Sequence, residues 1–274
     1  MRIRIIDAFT DRPFAGNPAA VCLLDGDGWP DEAWMRGLAA ELNLPMTAFA
    51  RRDGDDWALR WFTPVVEERL CGHATLATAH ALHADNGAPV SVRFATLSGV
   101  LAASTADDGT VTLDFPASPV VEAPAPAGLA DALGARPHAI HSAPSLGDVI
   151  AVLGDERTVR DLDPDLGALA RIGVREGLRG ITVTALAAPE ADGYDFVSRS
   201  FSPHQGIPED PVTGSAHTAL ALLWAPRVGR DELTGLQVSP RGGLVHTAFR
   251  GDRVHLGGRA VTVLDGALER GAAA

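Results

Sequence analysis

The sequence predicts an α+β protein built as two pseudo-symmetric domains, each a barrel-like sheet around a central helix. Three observations carry this. The chain repeats itself once at an offset of about 140 residues. Strand-like stretches outnumber helical ones in both halves. Each half also holds one helix with almost no polar face, "ATLATAHAL" and "AHTALALLW", the pattern of a helix enclosed by its own sheet.

The repeat is read from three pairs in the same order. "ALRWFTP" (58–64) matches "FVSRSFSP" (196–203), "CGHATLATAHAL" (71–82) matches "TGSAHTALALLW" (213–224), and "LSGVLAASTADDGTVTLDF" (97–115) matches "PRGGLVHTAFRGDRVHLGG" (240–258). One such match is ordinary, but three in register argue for two copies of one domain. In order, the first copy is expected to hold strands near 2–9 and 18–24 and a helix near 31–42. Strands near 46–51 and 57–62, a helix near 73–84 and a hairpin near 91–115 follow. The second is expected to hold strands near 138–143 and 148–153, a weak helix near 164–171, and strands near 180–186 and 194–201. A helix near 214–224 and a hairpin near 236–256 complete it. The Pro/Ala stretch 116–128 reads as a linker, giving domains 1–118 and 119–274. The closing strand "AVTVLDGAL" has no counterpart in the first half and is a candidate to cross back to it.

Composition removes several function classes. The chain has 274 residues, 46% of them hydrophobic, and a net charge of −12. That length suits two cores, and that charge disfavours nucleic acid and anionic membranes as partners. All 23 basic residues are arginines, so a lysine Schiff base is excluded. Two cysteines, Cys22 and Cys71, make no disulfide framework. "MRIRIIDAFT" is no signal peptide, and no apolar run approaches the roughly 20 residues of a membrane span. A cytoplasmic protein is expected.

Both central helices open on glycine beside small or polar residues: Cys71-Gly72-His73 and Thr213-Gly214-Ser215. A helix start carries unpaired N–H groups and partial positive charge, and glycine admits an anion close to the backbone. Either alone is an ordinary cap; the matched pair points to a carboxylate-bearing ligand. Just before the second start, "GIPEDPVTGS" sets Asp210 where an ionised carboxylate is favoured, a candidate base. His73 has a side chain suited to proton transfer near neutral pH. Asn17, Arg199, Gln237 and Arg241 are candidate substrate contacts and equally plausible structural hydrogen-bonders. "DLDPDLG" (161–167) lacks the glycine and glutamate of a calcium loop. His80 and His83 have no zinc partners, and no nucleotide-binding loop occurs, so no metal or cofactor is implied.

These stretches resemble the PhzF phenazine-biosynthesis-like proteins, which share the diaminopimelate epimerase fold. The resemblance runs through "DAFTDRPFAGNPAAV" (7–21), "WFTPVVEERLCGHATLATAHAL" (61–82), "FVSRSFSPHQGIPEDPVTGSAHTAL" (196–220), and "VSPRGGL" with "GDRVHLGGRAVTVLDG" (238–266). It implies a cofactor-free isomerase, usually a homodimer, with its active site between the domains. Pocket residues of the family map onto His73, Asp210, Gly214 and Ser215. The related epimerases use a cysteine at each helix start; here Cys71 has Thr213 as its counterpart, which argues against a two-thiol racemase.

One departure stands out. Where the family reads Asn-Leu-Ser-Glu-Thr, with a glutamate that moves the proton, this chain reads Asn43-Leu44-Pro45-Met46-Thr47. Glu41, in the preceding helix, is no evident replacement. Met46 carries no proton, so it is expected to form an apolar wall. Catalysis would pass to Asp210 and His73. The alternatives are a carboxylate-binding or regulatory protein without chemistry, or a pericyclic or bond-cleaving reaction that needs no strong base.

Overall fold

Each half of the chain lays its strands down in the same order. The structure, a computed structural model, describes residues 1–26, 28–86 and 91–269. It divides into two units, Met1–Asp114 with Gly257–Ala274, and Phe115–Leu256.

In the first unit the order is β1 (Arg2–Ala8), β2 (Asn17–Leu23), α1 (Glu32–Leu42), β3 (Met46–Asp53), β4 (Asp56–Phe62), β5 (Glu67–Glu68), α2 (Gly72–Asn86), β6 (Ser91–Thr96), β7 (Gly99–Thr105) and β8 (Val111–Pro116). Strand β2 runs antiparallel to β1 and parallel to β3. β4 is antiparallel to β3 and parallel to β6. The region expected as a hairpin near 91–115 is a three-stranded meander, because β7 pairs with both β6 and β8.

The second unit holds β9 (Val121–Glu122), α3 (Leu129–Leu133), β10 (Ala139–Ala143), β11 (Asp148–Val152), α4 (Glu156–Arg160), α5 (Leu166–Glu176), β12 (Gly180–Leu186) and β13 (Phe196–Ser202). A short 3-10 turn, Pro203–Gln205, leads to β14 (Ile207–Asp210), α6 (Gly214–Val228), β15 (Glu232–Gln237), β16 (Gly243–Arg250) and β17 (Arg253–Gly258). Its pairings repeat those of the first: β10 with β11 antiparallel, β11 with β12 parallel, β12 with β13 antiparallel, β13 with β15 parallel. The duplication legible in sequence is thus a duplication of hydrogen-bond pattern. The supposed linker 116–128 is not free chain. Its β9 pairs with β10, and Ala123 N–H donates to Ile140 O at 3.0 Å, because an exposed strand edge accepts any extended segment that reaches it.

Helix α2 packs against β1, β2, β3 and β7 and against the closing strand β18 (Ala260–Ala267). Ala74, Leu76, Ala77, Ala81 and Leu82 are all buried, as an all-round apolar helix requires. Around α6 the same arrangement places Ala219, Leu220, Leu223 and Trp224 against Ile150, Phe196 and Leu233. Strand β18 pairs antiparallel with β1 along its whole length, with one bulge at Ile5/Ile6. Buried Arg4 fastens it: Arg4 Nε donates to Asp265 at 3.2 Å, Nη1 donates to Ala81 O at 2.8 Å, and Nη2 meets Asp85. Hydrogen bonds from Arg2, with Arg4 beside it, hold the Asp265 carboxyl down to about 2.

Two local features bear on function. Asp31 caps α1 by accepting from Ala33 N–H at 2.7 Å, and Asn43 ends it with φ 49°, the left-handed stop that asparagine tolerates. Met46 therefore begins β3 directly after a fixed turn. The connection from β1 to β2 is strained: Phe9, Phe14 and Gly16 all have positive φ. The buried carboxylate of Asp7 accepts from Phe14 N–H at 2.7 Å and holds the turn. Among the described residues no helix is long and apolar enough to cross a membrane.

Candidate functional site

Both helix starts lie where the sequence places them. Gly72 is the first residue of α2 and Gly214 the first of α6.

In the first unit, His73 is buried, and its Nδ1 lies 3.4 Å from Cys71 Sγ. The Cys71 carbonyl accepts from Thr75 Oγ1 at 2.5 Å, which fixes the first turn. Burial pushes the His73 imidazole down to about 3. It is neutral at pH 7, able to donate from one nitrogen and accept at the other. Cys22 is buried too, its thiol pushed up to about 12 by desolvation, which keeps it protonated and inert. Asn17 and Met46 begin neighbouring parallel strands, Met46 standing opposite Ala19. Both are buried. Met46 brings no proton-carrying group to that strand end.

In the second unit, Asp210, Thr213, Gly214 and Ser215 meet in one hydrogen-bonded corner. Thr213 Oγ1 donates to Asp210 Oδ2 at 2.6 Å. Thr213 is the N-cap of α6, yet its side chain makes no cap bond. Its own N–H is taken instead by Gln237 Oε1 at 2.8 Å. Ser215 Oγ accepts from Arg179 Nη1 at 3.1 Å. That guanidinium is anchored on the buried carboxylate of Asp148, with Nε to Oδ1 at 3.0 Å, and on Leu146 O at 3.0 Å. The start of α6 therefore combines unpaired N–H groups, a hydroxyl and an arginine, a donor-rich corner suited to a carboxylate.

Other polar residues near this corner are structural. Glu209 is no acid/base: Arg199 holds it with two bonds, Nε to Oε1 at 2.7 Å and Nη2 to Oε2 at 2.9 Å. Arg199 also donates to Leu162 O at 2.7 Å, so its guanidinium braces β13 against β14 and against the chain that follows α4. Gln237 is fully buried against the Asp210–Thr213 loop. Arg179 and Asp148 carry no signal in the sequence. Nothing in "GLRGITV" marks its arginine, since Ser215 lies 36 residues further on.

The buried histidines make stability depend on pH. His217 Nδ1–H donates to Thr213 O at 2.8 Å, and burial pushes its ring down to about 4. Both His73 and His217 titrate lower in the folded chain than the unfolded value of 6.5. The unfolded state alone gains protons as pH falls below about 6.5, so folding is favoured above that and weakened below it. At pH 5 each ring costs roughly 2 kcal/mol relative to pH 7. Urea unfolding at the two pH values checks this. The loss should shrink by about half in His217→Gln, and equal stability at both pH values would refute it.

The geometry has counterparts among known proteins. The family model for PhzC-PhzF, phenazine biosynthesis-like protein, matches residues 6–266. An uncharacterized isomerase of Pseudomonas aeruginosa is 44% identical over 266 residues, covering 96% of each chain. The crystal structure of a PhzF-family phenazine biosynthesis protein from Enterococcus faecalis superposes with a TM-score of 0.89 at 40% identity, over 97% of both chains. A hydroxyproline epimerase from Agrobacterium vitis, solved with bound trans-4-hydroxy-L-proline, shares the fold with a TM-score of 0.64 at 13% identity, over 97% of this chain and 91% of its own. This protein belongs to the PhzC-PhzF family of phenazine biosynthesis-like proteins and has the epimerase-like α+β fold.

Proposed function

We propose that this chain is an isomerase that moves a proton between two carbons of a small carboxylate-bearing metabolite, with no cofactor. The isomerase class follows from relatives of that name at 41–44% identity. The observation that carries the chemistry is the Thr213–Asp210 hydrogen bond of 2.6 Å at the start of α6. It sets a carboxylate in one orientation beside a donor-rich corner.

In this reading the substrate carboxylate docks on the first N–H groups of α6 and on Ser215, with Arg179 adding positive charge. Asp210 takes the proton from a carbon next to a conjugated system. The electron pair left behind spreads into the carboxylate, where the helix start stabilises it. The proton returns at a different carbon from Asp210 itself, which restores the carboxylate. Gly72 and Gly214 keep both helix starts open. Met46 carries no proton and has no part in the transfer. A homodimer in the cytoplasm, acting in specialised metabolism, is the setting this reading favours.

The test is incubation in D₂O with a panel of unsaturated carboxylates and cyclic amino acids, followed by NMR and mass spectrometry. One compound should gain a single deuterium at a new C–H as its double bond moves. If compounds raise the unfolding temperature but none is isomerised or gains deuterium, the protein is a carboxylate binder and the reading falls.

A further inference from the structure

Gln237 closes β15 and has no exposed surface. Its amide makes three hydrogen bonds to the loop between β14 and α6. Oε1 accepts from Thr213 N–H at 2.8 Å. Nε2 donates to Asp210 O at 2.6 Å and to Thr213 Oγ1 at 3.2 Å. The orientation of the amide is forced, because a backbone N–H only donates and a backbone carbonyl only accepts.

That orientation fixes the next link. Gln237 Nε2–H donates into a lone pair of Thr213 Oγ1. The hydroxyl hydrogen is then left for its other neighbour, Asp210 Oδ2, 2.6 Å away. A directional chain results, from Gln237 through Thr213 to the Asp210 carboxylate. Both the main chain and the side chain of Asp210 are thereby referenced to a strand and not to a mobile turn. The strand is itself anchored, since Gln237 stands beside Ser198 of β13 and Asp210 beside Ser200 of the same strand.

We infer that Gln237 is a positioning residue. Through Thr213, its amide sets the hydrogen-bonding state and direction of the Asp210 carboxylate. This rests on the reading of Asp210 as the proton acceptor. Gln237 touches no substrate; its contribution is to hold the acceptor within the narrow geometry that proton transfer needs.

Gln237→Glu separates this role from simple packing. Glutamate has the same size and still accepts from Thr213 N–H, but it cannot donate to both Asp210 O and Thr213 Oγ1, because a carboxylic acid carries one hydrogen and a carboxylate none. It draws the Thr213 hydroxyl hydrogen away from Asp210. The expected result at pH 7 is a displaced Asp210 carboxyl ¹³C resonance, assigned by its absence in Asp210→Asn. Thr213→Val, which keeps the Gln237 contact to the backbone, should displace the same resonance, and Thr213→Ser should restore it. Where wild-type protein labels a panel compound, kcat should fall roughly 10–100-fold in Gln237→Glu with KM little changed. The double variant with Thr213→Val should fall no further. A wild-type Asp210 resonance in Gln237→Glu overturns the inference, as does one in Thr213→Val should Gln237→Glu not fold. The resonance is read without substrate, so absence of any isomerised or deuterium-labelled compound refutes the isomerase reading and leaves this result standing.

Discussion

Asp210→Asn is expected to slow deuterium incorporation into the true substrate by roughly 10²–10⁴-fold, or about 3–5.5 kcal/mol of barrier. The substitution removes the ability to take up a proton and changes little else. An asparagine Oδ1 still accepts from Thr213 Oγ1, the Gln237 bond to residue 210 uses the backbone carbonyl, and the volume is the same. Thermal unfolding should therefore stay near wild type, and so should the stabilisation given by bound carboxylates. Loss confined to kcat assigns the proton to Asp210. A rate within about threefold of wild type would remove Asp210 from the chemistry and leave His73 as the group to test. His73→Gln, which preserves a donor but cannot pass a proton between ring nitrogens, is the companion variant.

Gly16→Ala is expected to cost roughly 3–5 kcal/mol of stability, read from urea unfolding. A Cβ on Gly16 would lie 2.1 Å from Ala8 O and 2.8 Å from Thr10 Cγ2, on a backbone at φ +63°. Ala8 has little freedom to retreat, because β1 pairs there with Ala260 on one side and Asn17 on the other. Gly54 provides the control. It has φ +65°, but a Cβ there would meet nothing within 4 Å, so Gly54→Ala should cost only the left-handed penalty of about 1 kcal/mol. Equal losses in the two variants would show that the crowding at Gly16 is absent.

The long apolar elements are legible in the sequence because burial writes itself as pattern. "ATLATAHAL" has no polar face to spare, and it lies inside its sheet. The mostly apolar "WALRWF" forms β4 against β3. Short helices are harder. The acidic run at 161–167 reads as a failed calcium loop, whereas Asp165 caps α5 by accepting from Ala168 N–H at 2.9 Å. Asp155 does the same for α4 through Thr158 N–H at 2.7 Å. These are local signals that a search for metal ligands passes over. Asp210, Thr213, Gly214 and Ser215 are visible because they share one loop. Gln237 and Arg179 reach them from 24 and 36 residues away. Only the folded sheet decides which polar residue arrives at that corner. The same holds for Glu209, the chain neighbour of Asp210, whose capture by Arg199 is decided only by the folded sheet.

The pairing of β18 with β1 makes the first unit discontinuous, with the whole second unit inserted into it. During synthesis residues 115–256 emerge as one uninterrupted stretch. The first unit, though begun earlier, waits with β1 lacking a neighbour and Arg4 lacking Asp265 until β18 follows. The first unit, which begins the chain, is thus completed only after the second has been made. During that interval β1, paired with β2 on one side, leaves its other edge open. Leu268 N–H donates to Met1 O at 3.1 Å once β18 has docked, so a short bridge between those two positions would make the first unit continuous and let it mature without delay.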